Sequence, residues 1–281
     1  ESPEKESTST FSATVNPSLN IFEGTGVWTD ASKWSKDATP IVTDDVIING
    51  DVTIESGDIA VNSLSINSNI AASLTVNSGV NLTVDEVLNS TKADAFIIYD
   101  GCQVFHPSEN VAATFRMFID NPASWSGDRK GGWQFISSPV EGVAVTDFAT
   151  TTTDYDLFKY DGTQELEWVN IKNHGIGTDF ESEFVSGRGY IVSYEAQTSA
   201  DFKGILNNDK SFGFKDIKPF DTEDHYNNFY LLGNPFSFDM NWNELSTVTD
   251  VYNGYATISN IDGSYDYHTS ATIISIIPIT M

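Results

Sequence analysis

The sequence has few of the residues on which disulfide-rich secreted domains and nucleic-acid-binding proteins depend. Among 281 residues Cys102 is the one cysteine, so no intrachain disulfide can form and a disulfide-stapled scaffold is excluded. Lysine and arginine together number 14 against 40 acidic residues, which gives a formal net charge of −26. A field of this sign repels phosphate backbones and anionic membranes, so we do not expect nucleic-acid binding.

Long hydrophobic runs are also missing. The most apolar stretch, Ala271 to Met281, is far shorter than the roughly 18 residues that span a bilayer, so we expect no membrane insertion. Glu1 is not followed by an apolar signal region, so we expect that any signal peptide has been removed. The length and the 40% hydrophobic content still suffice for sizeable cores and predict two domains.

Catalytic signatures are equally scarce. The sequence contains no Gly-x-Ser-x-Gly elbow, and its glycine-rich stretches lack the strand–loop–helix context of phosphate binders. Ser137-Ser138 precede a proline, which predicts a turn and not a nucleophile. No histidine has a metal-ligand spacing; the four are His106, His174, His225 and His268. We therefore predict that the chain is not an enzyme and that it has no catalytic, cofactor-binding or metal-binding residues.

Acidic residues leave two alternatives open. The pairs Asp154/Asp156 and Glu181/Glu183 could act as a glycosidase acid and base only if two carboxyls converged across a cleft, which spacing cannot show. Calcium is the other alternative, because two tight loops carry oxygen ligands, although Asp and Gly are also the normal residues of hairpin turns. These loops are Asp154-Tyr155-Asp156 with Asp161-Gly162, and Asp262-Gly263-Ser264-Tyr265-Asp266.

A regular alternation of apolar residues begins after a tail rich in Glu, Ser and Thr, residues 1–18, which we interpret as a flexible tail or linker. Short apolar-x-apolar pairs indicate half-buried strands, and the spacings of 18 and 18 from Val46 to Leu64 to Leu82 suggest stacked coils. Residues 19–110 are therefore predicted to form a β-solenoid-like domain, with a sandwich of short hairpins as the alternative. The pairs are Val46/Ile48, Val52/Ile54, Leu64/Ile66, Leu74/Val76 and Leu82/Val84, and residues 95–99 could add one more rung.

The residue pattern changes around residues 107–132, where prolines and a glycine-rich polar run interrupt the repeat. Beyond it, short aromatic and β-branched segments alternate with Asp-Gly and Asn-Asn turns, which predicts an antiparallel β-sandwich over residues 111–281. A turn or two of helix is expected only at residues 238–246. The fold class predicted from sequence is all-β, an N-terminal solenoid-like stack followed by an antiparallel sandwich.

Two aromatic features stand out. Residues 133–140 and 229–236 repeat one pattern, an aromatic strand stopped by a Pro-centred turn, with Pro139 and Pro235 lying 96 residues apart (235 minus 139). Glycines and polar residues frame Trp28 and Trp34, which we interpret as a plug over the open end of a core. Carbohydrate stacking is the alternative, and it would use the tryptophans near turns, Trp28, Trp34, Trp125 and Trp168.

Several motifs follow one another along the chain: Gly26-Val27-Trp28, Ser32-Lys33-Trp34, the apolar strand pairs, Gly132-Trp133 to Pro139, Gly187-Arg188-Gly189-Tyr190, Phe202-Lys203-Gly204, Leu232-Gly233-Asn234-Pro235-Phe236 and Trp242. As an ordered set over about residues 22–281, they resemble the large secreted proteins of Bacteroidota that leave the cell through the type IX secretion system. This resemblance implies export to the surface of a Gram-negative cell and roles in adhesion, gliding or polysaccharide use. It transfers no catalytic residue. The sorting domain of such cargo is not found, so we expect a fragment or a partner-dependent piece.

These observations lead to two functional hypotheses. The first is a non-enzymatic extracellular surface protein for adhesion or structural assembly, with other surface proteins or further copies of itself as partners. The second is a carbohydrate-binding accessory module of a polysaccharide-degrading system, with glycans as partners. Because the apolar segment 271–281 has no charged gatekeeper, we further expect a strand from outside the chain, or from a neighbouring copy, to complete it.

Overall fold

The computed structural model describes residues 18–119, 133–148, 155–161, 168–195, 198–208, 231–241, 254–258, 265–269 and 275–276. Across these ranges the chain is nearly all β, with a stack of coiled parallel strands, a four-stranded antiparallel sheet and two small two-stranded sheets. The predicted all-β class, a solenoid-like stack followed by antiparallel sandwich-like sheets, is therefore confirmed. The predicted tail lies outside the described residues except for Ser18.

Eight strands build the stack, which makes about four turns. All of their pairings with one another are parallel, so each turn of the chain lies directly on the previous turn. The strands are β1 (Leu19–Val27), β2 (Asp45–Ile54), β3 (Asp58–Ile66), β4 (Ser73–Val76), β5 (Asn81–Asn89), β6 (Phe96–Tyr99), β7 (Gln103–Phe105) and β8 (Ala112–Ile119).

The parallel pairing divides into three ladders, because a long strand such as β2 pairs with one neighbour in its first half and with another in its second half. Alternate residues point inward in every ladder, and all five predicted apolar pairs are buried there. The first ladder contains 45–48, 63–66 and 87–89; the second contains 51–54, 73–76, 96–98 and 114–116; the third contains 58–61, 81–84 and 103–105.

The predicted 18-residue period is right in its first step and wrong in its second. Val46 pairs with Leu64 as expected, but Leu64 then pairs with Leu88, 24 residues on (88 minus 64), and Leu82 pairs with Ile59 in the third ladder. Corners of unequal length between the three sides of a coil cause this variation. The steadiest spacing lies in the third ladder, where Ile59, Leu82 and Val104 follow one another at 23 and 22 residues (82 minus 59, 104 minus 82).

Polar side chains form a second set of contacts between coils. Each ladder begins on one coil with an aspartate and continues on the next coil with a serine or asparagine that donates a hydrogen bond to it. The three bonds are Ser63 Oγ to Asp45 Oδ1 at 2.7 Å, Ser73 Oγ to Asp51 Oδ1 at 2.8 Å and Asn81 Nδ2 to Asp58 Oδ1 at 2.8 Å. Because a one-residue slip would break all three, these bonds favour one register.

The first coil is covered by the segment that comes after β1. The backbone N–H of Ser35 donates to Ile21 O at 2.8 Å, and the N–H of Ile21 donates to Ser35 Oγ at 2.9 Å. Asn20 Nδ2 donates to Ala38 O at 3.0 Å. The two bonds of Ile21 satisfy backbone groups on the outer edge of β1, which would otherwise be open to pairing with another chain.

The other end of the stack is covered by a different segment at each ladder. The N–H of Leu88 in the first ladder donates to Ser108 Oγ at 2.7 Å. In the third ladder the N–H of Val104 donates to Ser237 O at 2.9 Å, and Ser237 Oγ donates to Val104 O at 3.1 Å. The second ladder ends in β8, which pairs with an antiparallel strand at residues 198–205. All three ladders therefore end against other parts of the same chain.

Residues 134–206 contribute six further strands, and the last strand of the stack, β8, already lies beyond the predicted boundary at residue 110. The six are β9 (Gln134–Ile136), β10 (Val140–Glu141), β11 (Tyr155–Tyr160), β12 (Trp168–Asn170), β13 (Tyr190–Tyr194) and β14 (Thr198–Leu206). β14 extends the solenoid sheet beyond β8, and β10 pairs with the outer side of β14, whereas β12, β11, β13 and β9 form the antiparallel sheet in that order. A four-residue helix, α1 (Val145–Phe148), lies between β10 and β11.

The chain passes between the two sheets four times, from β8 to β9, from β9 to β10, from β10 to β11 and from β13 to β14. A shared core joins them: the ring of Phe184 meets the ring of Phe202 on β14 edge-to-face at 5.2 Å and that of Tyr190 on β13 at 4.9 Å. The sandwich is thus built partly from the last strands of the solenoid sheet.

Four short strands complete the described fold, β15 (Met240–Asn241), β16 (Gly254–Ile258), β17 (Tyr265–Thr269) and β18 (Ser275–Ile276). β15 lies where sequence predicted a turn or two of helix, and residues 242–246 of that prediction are outside the described residues. β15 pairs with β18 inside the predicted terminal strand. Two residues of that strand therefore have a partner in the same chain, and the rest are outside the described residues.

The corner between the first and second ladders predicts a sharp stability effect. Gly24, with φ +81°, pairs with Gly50, and a Cβ added at Gly50 would lie 1.9 Å from Gly24 O. We expect Gly50→Ala to lower the free energy of unfolding by about 3 kcal/mol or more, because backbone on both coils must move. Urea denaturation measures this change.

Gly26→Ala is the matched control, since the atoms nearest its Cβ would belong to the Lys33 side chain, at 3.5 Å, and to the ring of Phe22, at 3.7 Å. Equal stabilities of the two variants would contradict the close approach of the coils at this corner.

Candidate functional sites

Trp28 and Trp34 form the predicted plug at the start of the stack. Each is 2% exposed, their rings meet edge-to-face at 4.8 Å, and Phe22 meets Trp34 in the same way at 5.0 Å. Trp34 Nε1 donates to Trp28 O at 2.8 Å, so the indole N–H is satisfied inside the core. The plug interpretation is confirmed, and neither ring presents a face on which a sugar could stack.

Other aromatic rings lie on the antiparallel sheet. Tyr160 on β11 meets Trp168 on the edge strand β12 edge-to-face at 5.4 Å, and Phe158 meets Trp133 at 5.5 Å. All four are half-buried. Trp168 is therefore the described tryptophan that keeps the carbohydrate alternative open, and Trp125 is outside the described residues.

The carboxylate of Asp156 is held in a buried polar group on the same sheet. Asn170 Nδ2 donates to Asp156 Oδ1 at 3.0 Å, and Lys172 Nζ lies 3.5 Å from that oxygen. Lys172 also lies over the ring of Tyr155 at 5.3 Å. Asp154, the other carboxylate of the pair considered from sequence, is outside the described residues. A carboxylate held by an amide and an ammonium group is typical of a structural ion pair.

Glu181 belongs to a second ion-paired group. It pairs with Arg188, and Lys159 Nζ lies 3.5 Å from Glu181 Oε1. Burial, and then the charge of Arg188, lowers the pKa of Lys159. Glu183 is exposed and takes part in a backbone bridge with Ala144. The two glutamates proposed as a pair thus have different surroundings, one among cations and one in solvent.

The side chains of two of the four histidines, His106 and His174, are described. Burial lowers the pKa of His106, and His174 Nδ1 lies 3.4 Å from Asp179 Oδ2. His225 is outside the described residues, and only the backbone of His268 is described. Within the described ranges no group of three or more His, Cys, Asp or Glu side chains is placed to hold a metal ion.

The two loops considered for calcium are only partly described. Asp156 and Asp161 lie on or directly after β11, whereas Asp154 and Gly162 are outside the described residues. Asp266 is in β17, paired with Thr257 of β16, and residues 262–264 are outside the described residues. Calcium therefore stays an untested alternative.

Cys102 is a core residue of the last full coil. It is 1% exposed, and burial together with the charge of Asp100 raises the pKa of its thiol to about 12. Such a thiol carries almost no thiolate at neutral pH.

The two copies of the Pro-centred motif meet in space, which the sequence alone did not reveal. Ser137 Oγ donates to Asn234 O at 2.6 Å, and both residues are buried. Asn207 connects the prolines, because its N–H donates to Pro139 O at 3.0 Å and its Nδ2 donates to Pro235 O at 2.8 Å. The hydroxyls of Ser137 and Ser138 are committed to backbone carbonyls, which accords with turn residues and not with a nucleophile.

An outward face of the third ladder is a further feature that sequence analysis missed. Alternation along the strands places two rows side by side, and the segment that covers β7 extends both. The polar row is Asp58, Asn81, Gln103 and Asp239, and the second row is Ala60, Thr83, Phe105 and Phe238. The spacings of 23 and 22 residues from Asp58 to Asn81 to Gln103 (81 minus 58, 103 minus 81) are the sequence signal that could have found it.

Comparison with known proteins gives a family without a stated activity. The family described as "Domain of unknown function (DUF8693)" matches residues 21–275, which include all of the stack after its first two strand residues and most of the later strands. No curated protein and no solved structure matches the chain. Among the described residues, no helix is long and apolar enough to cross a bilayer.

The junction of the two Pro-centred motifs depends on Asn207. We expect Asn207→Ala to lower the free energy of unfolding by about 1–3 kcal/mol, because it leaves the buried Pro235 carbonyl without its donor. Asn173→Ala, at an exposed asparagine, is the control and should change stability little. Chemical denaturation measures the free energy of unfolding of both variants. If Asn207→Ala loses no more stability than Asn173→Ala, the junction does not stabilise the fold.

The burial of Cys102 predicts both its reactivity and a pH effect. At pH 8 the native thiol should react with a disulfide reagent far more slowly than the thiol in guanidinium chloride. Because the thiol pKa is raised from 9.0 to about 12, the native state holds the proton that the unfolded state releases, so stability falls as pH rises from 9 toward 12. Rapid labelling of the native protein would contradict the described packing.

Proposed function

The chain belongs to the DUF8693 family, and because that description states no activity we propose a function from the geometry: a non-enzymatic extracellular surface protein that serves adhesion or extracellular assembly. Its partners are other surface molecules or further copies of the chain. The single observation that carries this proposal is the closed stack, whose coils are paired in register and whose ladders end against the chain itself.

In a closed stack, the backbone groups at the strand edges are already hydrogen-bonded, so a partner can bind only to the outward faces of the strands. Backbone groups of Ile21, Leu88 and Val104 at the two ends already have partners in the chain, so the outward side-chain rows are the surfaces left for recognition. Stacked coils contact only their neighbours and build extended, rigid surfaces, which suits attachment better than a deep reaction cleft does.

The charge of these faces supports the same proposal. No lysine or arginine occurs between residues 37 and 91, a stretch that contains eight acidic residues. The outward positions of strands β2 to β5 are mostly serine, threonine, asparagine and aspartate. Such a surface favours solubility outside the cell and disfavours nucleic acids and other polyanions as partners.

The single cysteine is compatible with an oxidising environment outside the cell. Cys102, the one cysteine, is buried with a raised thiol pKa, so the fold presents no reactive thiol there. The resemblance to type IX secretion cargo points to the same location, the surface of a Gram-negative cell.

A carbohydrate-binding accessory module is the second candidate. It is favoured by Tyr160 and Trp168, whose half-buried rings share the antiparallel sheet with the polar group of Asp156, Asn170 and Lys172. Sugar sites combine aromatic faces with a few placed polar groups.

Labelling of intact cells tests the proposed location. An antibody against the purified chain should label intact cells of the source organism without permeabilisation, and external protease should remove the signal. A cytoplasmic protein of the same cells serves as the control for leakage. Labelling that appears only after permeabilisation would contradict an extracellular surface role.

An activity assay tests the non-enzymatic part. We expect no release of reducing sugar when the purified chain is incubated with soluble polysaccharides. Hydrolysis that is lost in Asp156→Asn, Glu181→Gln or Glu183→Gln, but kept in the exposed-site control Glu109→Gln, would overturn this part of the proposal.

A further inference from the structure

The outward face of the third ladder has the properties of a ligand-binding strip. We define the third-ladder face by its polar row, Asp58, Asn81, Gln103 and Asp239, and its second row, Ala60, Thr83, Phe105 and Phe238. It spans three coils and the segment that covers them. Asp58 and Phe105 are exposed and the other members are half-buried, so the face meets solvent along its length.

The polar row is pre-ordered and has spare hydrogen-bonding capacity. Asn81 Nδ2 donates to Asp58 Oδ1 at 2.8 Å, and Gln103 Nε2 donates to Asp239 Oδ2 at 3.2 Å. A carboxylate can accept about four bonds, so the exposed Asp58 keeps acceptor sites after this contact, whereas the second oxygen of Asp239, Oδ1, is buried. Neighbouring strands repeat at about 4.8 Å, which places acceptors and amides at regular steps along the strip.

The second row supplies an aromatic platform at one end. Phe105 is 36% exposed, its ring lies 5.1 Å from that of Phe238, and Phe238 stacks on the buried Phe236 at 5.0 Å with an interplanar angle of 14°. This support from below holds the outer rings in place. Exposed, supported rings beside hydroxyl and amide groups are the combination that sugar rings recognise.

The strip cannot recruit a peptide by strand addition at its β7 edge, because the N–H and C=O of Val104 there are bonded to Ser237. The charge of the face further restricts the class of ligand that it can bind. The rows contain two carboxylates and no cation, and residues 37–91 contain no lysine or arginine, so an anionic polymer would be repelled.

We propose that the third-ladder face binds an uncharged polysaccharide, with its hydroxyl groups donating to the polar row and a sugar ring lying on Phe105. This inference rests on the proposed adhesive function and names the class of surface that the protein would attach to. It differs from the second candidate function, which places sugars on Trp168 of the antiparallel sheet.

Affinity electrophoresis of the purified chain tests the inference. The probes are hydroxyethyl cellulose, mixed-linkage β-glucan, mannan and pullulan as neutral polymers, and alginate as the anionic one. At least one neutral polymer should retard the protein, and alginate should not. Phe105→Ala should weaken that binding about tenfold, the effect of losing one stacked ring. Val87→Ala, at a side chain 51% exposed on the first ladder, is the matched control and should bind normally.

A second variant and a second assay keep the outcomes distinct. Asp58→Ala changes an exposed side chain and should also weaken binding, which covers the case in which Phe105→Ala fails to fold. Neutral-polymer binding that survives both variants but is lost in Trp168→Ala would overturn the inference and favour the antiparallel sheet. If no neutral polymer binds while antibody still labels intact cells, the inference fails and the surface role survives; if the labelling also fails, both fail.

Discussion

In a parallel stack, the backbone N–H and C=O groups of each strand bond to the strands of the coils on either side. The first and last coils have a neighbouring coil on one side only, so their outer backbone groups need other partners. The rest of this structure depends on how the chain meets that constraint. Within the stack, apolar rows and the aspartate-to-serine or asparagine bonds hold the coils in one register. At the ends, Ser35, Ser108 and Ser237 supply the missing partners. Strand β14 continues the same solution, because it pairs with β8, and its Phe202 packs on Phe184 in the core shared with the antiparallel sheet.

The functional proposals depend on this closure. Because the backbone groups at both ends of the stack are bonded within the chain, its outward side-chain rows are left as recognition surfaces. On the third-ladder face, a polar row lies beside aromatic rings that are packed from below. The ion pairs around Asp156 and Glu181 have a different character, since their carboxylates are held by lysine and arginine inside the second sheet. We interpret those groups as structural, and the third-ladder face is the surface that we propose for contact with other molecules.

Local patterns in the sequence predicted much of the fold, because inward alternation and turn residues are local properties. The apolar pairs of the stack and the plug of Trp28 and Trp34 were predicted correctly. The period failed at Leu82 because the corners of the coil differ in length, which composition does not record. The meeting of the two Pro-centred motifs through Asn207, and the row that ends at Asp239, join residues far apart in the chain. Such contacts require the three-dimensional fold.

Amide hydrogen exchange at the ends of the stack tests the closure most directly. The N–H groups of Ile21, Leu88 and Val104 donate to acceptors on the covering segments. If the chain closes its own stack, NMR should show these three amides protected to nearly the same degree as the amides of β4 in the interior. Exchange of the three at the rate of unstructured peptide, while β4 stays protected, would show that the ends are open and would contradict the account.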